Sequence, residues 1–313
     1  MSGDLSTVQG LFTPADHGAL DQGDEDFGSG GLMLLPPQPG TFPDIAAAAG
    51  KDGNLYLLNA DHLRREFGAY QIGGCWCGPS YYQGSDGSAR IVTSGNTTVG
   101  VWKLSSQGSP SLTPVSRYGG IADGMDPGFF TSVSSNGTAA GSAIVWAVGR
   151  PVNNYPADVS LYAVDPDNGT LLFSEVAGQW LNTGGNSNIV PVVANGLVYV
   201  ASDQTLTIFG LGGTDKPRIP AIRRIDLRAP LAPGEHEVFA TVVRAKASSI
   251  LARKRGGTMV RIDPANAKAN HRFAESPVGS TLAAVGTFDK AGVLDANEIR
   301  HAKNNPAMWP TDR

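Results

Sequence analysis

The sequence predicts an all-β protein in two parts: a series of about four small sheets, then a small barrel. Three observations carry this. The 40 glycines and 21 prolines among 313 residues exceed their usual shares of about 7 % and 5 %, which marks a chain rich in turns. Charged residues make up 17 %, below the usual ~25 %, which excludes a coiled coil, a helical solenoid and a highly charged disordered chain. Strand-like segments also recur at a nearly constant spacing.

The recurring segments are Gly53–Asn59, Val99–Leu104, Val159–Val164 and Gln204–Phe209. Aligned on Tyr56, Trp102, Tyr162 and Ile208, they stand 46, 60 and 46 residues apart. A period in the forties with several strands per repeat indicates propeller blades. An apolar strand precedes each one: Ile45–Ala49, Arg90–Ser94, Ala143–Val148 and Leu197–Ser202. Each pair reads as a hairpin, and the third holds an insertion that explains the longer spacing. Ser85–Gly87 and Asp165–Gly169 are further turn signals. The Asn-x-Thr triplets at Asn96, Asn136 and Asn168 match the glycosylation acceptor pattern but read as turn chemistry in this composition.

Residues 213–235 hold Pro, Gly and scattered Arg with little pattern and read as a linker. Beyond it, Glu237–Ala245, Ser249–Arg253, Thr258–Ile262, Thr281–Phe288 and Val293–His301 read as five strands, with a short helix expected at Pro264–Asn270. That order is the plan of an OB-type barrel. The domains are thus 1–212, a propeller portion, and 236–313, an OB-like barrel. Charge follows the same division. Residues 1–214 carry 7 Lys+Arg against 18 Asp+Glu, and residues 215–313 carry 17 against 10. The opposed net charges, −11 and +7, favour the two parts docking on each other.

Several stretches resemble a known family. Phe12–Pro14, Asp24–Gly31, Leu34–Pro36 and Gly50–Leu57 are similar to the central part of PQQ-like repeat proteins, of the quinoprotein alcohol dehydrogenase-like β-propeller superfamily. Val190–Ser202 with Leu206–Leu211 resembles the closing blade. The resemblance covers about 1–212, and the tail resembles a small OB-like module attached to such bacterial propellers. Family propellers have seven or eight blades, so this chain looks like a C-terminal portion, or a short version closed by its own N-terminal strand or by a partner copy. The family's enzymes hold PQQ and Ca²⁺ with adjacent cysteines, a stacking Trp and acidic residues. Cys75 and Cys77 are not adjacent, and the full cofactor set cannot be carried onto this sequence, so PQQ and Ca are implied by resemblance only. The family also includes scaffold proteins of outer-membrane assembly. The resemblance implies a periplasmic or extracellular place if the chain is a truncated form. Its N-terminus has neither a basic region nor an apolar stretch of the secretory type.

Chemical motifs are sparse. Asp21, Asp24 and Asp26 are the nearest approach to a metal site, because carboxylates at this density gather Ca²⁺. Acidic residues in such a loop also serve as turn formers. Cys75 and Cys77, spaced C-x-C, admit a disulfide, two buried free thiols or a metal site. Asp289–Glu298 resembles the end of a calcium loop but lacks ligands and reads as a hairpin turn. His17, His62, His236, His271 and His301 have no ligand or catalytic partner at helical spacing. There is no phosphate loop, dinucleotide fingerprint or nucleophile elbow. Tyr56, Trp102, Trp146, Tyr162 and Trp180 read as blade-packing aromatics, with a stacking surface for a flat ligand as the alternative. Arg244, Lys246, Arg253, Lys254, Arg255 and Arg261 give the barrel a basic face. Phe239 is the single aromatic between 237 and 262, which disfavours nucleic acid. No window approaches about 18 consecutive apolar residues, so no membrane span is expected.

The expectation is therefore a non-enzymatic binding or scaffold protein that recognises a protein partner or small ligand through blade loops, with a homo-oligomer as one route to a complete propeller. The alternatives are a fragment of a PQQ- and Ca-dependent dehydrogenase, and nucleic-acid binding by the basic tail.

Overall fold

The computed structural model describes residues 6–8, 10–27, 30–121, 128–149, 157–180, 189–210, 222–226, 230–246, 248–269 and 278–301. The chain divides into two compact units, Met1–Leu227 and Arg228–Arg313. Among the described residues there are 22 strands and one α-helix, α1 (His17–Gly23).

The first unit holds four separate four-stranded antiparallel sheets, each a meander of consecutive strands. The first is β1 (Leu32–Leu34), β2 (Ile45–Ala49), β3 (Asn54–Asn59) and β4 (Glu66–Gln71). The second is β5 (Ser80–Gln83), β6 (Ala89–Gly95), β7 (Thr98–Ser105) and β8 (Ser111–Gly119). The third is β9 (Thr131–Ser134), β10 (Ile144–Val148), β11 (Ala157–Val164) and β12 (Leu171–Trp180). The fourth is β13 (Val192–Ala194), β14 (Leu197–Ser202), β15 (Thr205–Gly210) and β16 (Ile222–Asp226). The four expected hairpins are the central pairs β2–β3, β6–β7, β10–β11 and β14–β15. Residues 222–226, expected in a linker, instead form β16 and pair with β15.

Successive sheets pack face to face, because alternation along a strand gives each sheet two apolar faces. Ile45, Ala47, Leu55 and Leu57 of the first meet Ile91, Leu104 and Leu112 of the second. Val92, Val99 and Val101 meet Phe129, Val145 and Ala147. Leu161 and Ala177 meet Val198, Val200 and Phe209. Strand β2 is buried along its whole length. Its four alanines fit there because the strand is sandwiched, with Ala46 covered by the N-terminal Phe12 and Phe27. Hydroxyls latch neighbouring sheets together. Ser80 Oγ donates to the Thr131 carbonyl at 2.8 Å, and Ser132 Oγ donates to the Pro191 carbonyl. Ser116 Oγ donates to the Pro166 carbonyl at 2.6 Å.

The second unit is a closed barrel of five long strands. These are β17 (His236–Lys246), β18 (Ser249–Lys254), β19 (Met259–Asp263), β21 (Thr281–Phe288) and β22 (Val293–His301). β17 pairs with β18 and β21, and a parallel pairing of β19 with β22 closes the circuit. The core is Val238, Val242, Ile250, Ile262, Leu282, Leu294 and their neighbours. The expected helix at 264–270 does not form over the described part. A turn follows Pro264, and a two-residue strand, β20 (Lys268–Ala269), pairs with β22. Asn270 lies outside the described residues. Asp263 Oδ1 accepts from the Ala265 N–H at 2.9 Å, an Asx turn that competes with helix initiation.

Candidate functional site

The acidic N-terminal residues come first. Asp21 lies in α1, and Asp24 ends it in the left-handed conformation, with φ 56°. Asp24 and Asp26 both engage one cation of the chain itself. Lys51 Nζ lies 2.7 Å from Asp26 and 3.6 Å from Asp24, and donates to the Asp24 carbonyl at 2.8 Å. The same ammonium stands 4.7 Å from the Trp76 ring centre. The hydrogen bond to Asp26, with the Asp24 charge behind it, raises the Lys51 pKa above its ordinary value despite partial desolvation. The chain's own ammonium thus joins Asp24 and Asp26. Among the described residues, no three His, Cys, Asp or Glu side chains gather as a metal site. Asp21, Asp24, Phe12 and Phe27 line a cavity of about 550 Å³.

Cys75 and Cys77 are joined as a disulfide, both fully buried in the interface between the first two sheets. Thr93 and Ser94 hydroxyls lie 3.9 Å from the Cys75 sulfur. Sulfur, threonine and serine here pack as a tight polar seam within an apolar interface.

Asp86, in the turn between β5 and β6, is a hub. It accepts from Lys103 Nζ at 2.7 Å, Ser88 Oγ at 2.8 Å and Arg90 Nη2 at 3.1 Å. These donors, Lys103 first, hold its carboxyl far below the usual range. In the next interface Tyr82 is 5 % exposed, and its hydroxyl has no hydrogen-bond partner among the described residues. Burial, then the Asp167 charge, pushes its pKa up to about 12.

A second concavity, about 260 Å³, lies between the end of β4 and the outward strands of the second sheet. Ile72, Trp102 and Pro114 supply apolar walls, and Gln71, Thr98 and Arg117 supply polar groups. Gly100 and Arg117 are cross-strand partners, as are Trp102 and Pro114. The Trp102 ring leans on Tyr70, centroids 5.8 Å apart. Its indole N–H is shielded and makes no hydrogen bond among the described residues. It faces Gly100, where an added Cβ would stand 3.2 Å from Nε1. Arg117 Nη2 reaches Thr98 Oγ1 at 3.4 Å, and no carboxylate pairs with it among the described residues.

The other expectations resolve as follows. His17 Nδ1 lies 3.2 Å from the Pro14 carbonyl, and His236 packs on Phe288, so neither is set against a nucleophile. His271 lies outside the described residues, as do Gly28 and Ser29. Asp289 Oδ1 accepts from the N–H groups of Ala291 and Val293, both at 2.8 Å, within the β21–β22 turn. Asn96 takes a left-handed turn conformation, and the Asn168 amide bonds Asp165 at 2.9 Å in its turn. Arg244, Arg253 and Arg261 are exposed on the first three barrel strands around Leu251 and Met259. No helix among the described residues is long and apolar enough to cross a membrane. Sequence reasoning missed the Trp102 cleft. The one signal for it was Gly100 standing two residues before Trp102 on the same face of β7.

No family model and no curated protein matches this chain. Among solved structures, the computationally designed Ika4 protein is 13 % identical to it. That match covers 54 % of this chain and 86 % of the designed one, with a TM-score of 0.31. A likeness of that size carries no argument about fold or function.

Proposed function

We propose that the first unit is a run of four propeller blades and that the protein is a non-enzymatic binding or scaffold module, recognising a partner or small ligand through loops at the strand ends. The observation that carries this is the repetition of one interface. Each four-stranded meander lays the same kind of apolar face on the next, and Ser80 and Ser132 latch the first strands β5, β9 and the start of β13 in the same manner. Radially packed meanders of this kind expose loops on two sides. The resemblance to PQQ-like repeats supports the same reading, and the barrel connectivity fits an OB-like module.

A panel of metabolites and glycans, screened by thermal shift and mapped by hydrogen exchange, tests this. Hits are expected to protect the loops and inter-sheet clefts of the first unit without being turned over. A quinone absorbance band after addition of PQQ and Ca²⁺, with dye reduction by alcohols or sugars, would overturn it in favour of a dehydrogenase.

A second reading attaches to the barrel, because Arg244, Arg253 and Arg261 have no ion-pair partner among the described residues. Such a face suits the backbone of an anionic polymer such as nucleic acid. It predicts oligonucleotide binding by the full chain that weakens steeply with salt. Binding indifferent to salt, or none, removes it.

A further inference from the structure

The geometry points to the Trp102 cleft as a binding site for a single carboxylate-bearing sugar ring of the hexuronate type. The inference rests on reading the first unit as a binding module and names the ligand of one site in it.

Size comes first. At about 260 Å³ the cleft falls below the roughly 300–1,000 Å³ of pockets that take drug-sized ligands, so it fits one ring and not a chain or a dinucleotide. The apolar groups are arranged for a ring. Trp102 and Pro114 are directly opposite one another on β7 and β8, and Ile72 faces them from the end of β4. A pyranose presents an apolar face of C–H groups that suits an indole wall, whose π-system favours positively polarised hydrogens.

The polar groups select the charge. Arg117 stands two cross-strand pairs along, opposite Gly100, with its guanidinium steered by Thr98 and unpaired with any carboxylate among the described residues. A guanidinium fork matches a carboxylate with two parallel hydrogen bonds. Gln71 and Thr98 at the same rim suit ring hydroxyls. An aromatic carboxylate would fill the wall equally well, but it would desolvate these groups without pairing them.

Gly100 makes the space. Any larger residue would bring a Cβ to 3.2 Å from the indole nitrogen. The indole N–H is a donor with no described partner. A small rotation of the ring toward a ligand oxygen in the cleft would give that donor its acceptor.

Isothermal calorimetry and indole ¹H–¹⁵N NMR on the full chain test this with D-glucuronate, D-glucose and benzoate. Saturable glucuronate binding is expected, with a shift of one indole signal that is absent in Trp102→Phe. Glucose should bind at least ten-fold more weakly. Arg117→Gln, an exposed position, should weaken glucuronate at least ten-fold while its melting temperature stays within 2 °C of the parent, about the effect of a sub-kilocalorie change. Gly100→Ala should weaken it as well. No glucuronate binding at 50 mM, equal binding of glucose, undiminished binding by Arg117→Gln, or binding of benzoate alone each overturns the assignment. Hits from the wider panel that protect other loops while this cleft stays silent would overturn it and leave the binding-module reading standing.

Discussion

The Tyr56 hydroxyl donates a 2.6 Å hydrogen bond to Asp52 Oδ2, tying β3 to the turn that starts it. Asp52 also accepts from the Asn54 amide at 2.8 Å. Burial first, then the Asp52 bond, pushes the phenol well above its ordinary pKa. The neutral form is thus favoured in the fold. The stability it contributes is fully present below about pH 10, the unfolded value, and is lost as pH rises beyond it. Tyr56→Phe should cost about 1–2 kcal/mol at pH 7 in urea unfolding. It should also remove part of the alkaline loss, and a variant with unchanged stability would show the bond to be idle.

Asp86 behaves in the opposite sense. Its folded pKa is depressed, so its contribution is present above about pH 4 and is lost as pH falls below that. It is 41 % exposed, so the effect is modest, below about 1 kcal/mol. Melting curves between pH 2 and 6 should show a shallower acid slope for Asp86→Asn than for the parent. Parallel slopes would contradict the hub.

Glu237 is fully buried in the barrel and pairs with Arg300, which also bonds Glu298 at 3.0 Å. Removing Arg300 takes a partner from a carboxylate held in low dielectric. Arg300→Met should therefore cost about 1–3 kcal/mol, while Glu237→Leu with Arg300→Met should recover much of that. Chemical unfolding followed by a probe in the barrel reads this. A double variant no better than the single would show that the charge itself is not the cause.

Tyr82 gives a case where removal should be harmless. Its buried hydroxyl lacks a hydrogen-bond partner among the described residues. Tyr82→Phe keeps the ring in the interface with Val92 and Phe129 and sheds an unsatisfied group. Stability should stay level or rise by about 1 kcal/mol. A loss above 1 kcal/mol would reveal an acceptor or a bound water at that oxygen.

The central hairpins were legible because each couples a run of alternating apolar residues to a turn. β14–β15 and β2–β3 stand within a residue or two of where pattern alone puts them. The outer strands were not. β12 begins Leu-Leu-Phe with all three residues exposed, and β1 and β13 have only three residues each, too short for a period to show. Helix α1 was invisible for a related reason: none of its residues is buried, so it has no apolar stripe. In the barrel, five strands followed their alternation, and the misplaced helix at 264–270 shows a Pro-Ala-Asn signal losing to an Asx turn. At the acidic loop the composition was legible. Its partner was not, because Lys51 lies two strands away in sequence, beyond β1 and β2.

The barrel and the sheets differ in one more respect. The β19–β22 pairing leaves none of the five long barrel strands with an unpaired side. Among the described residues the four sheets each keep two edges, and one of these, β12, carries Leu171, Leu172 and Phe173 between 37 % and 53 % exposed. Unpaired backbone beside exposed apolar side chains can template the addition of a foreign strand. β12 therefore offers one route to self-association at high concentration. A single lysine there, Leu172→Lys, should raise the concentration at which the protein begins to aggregate without touching its core.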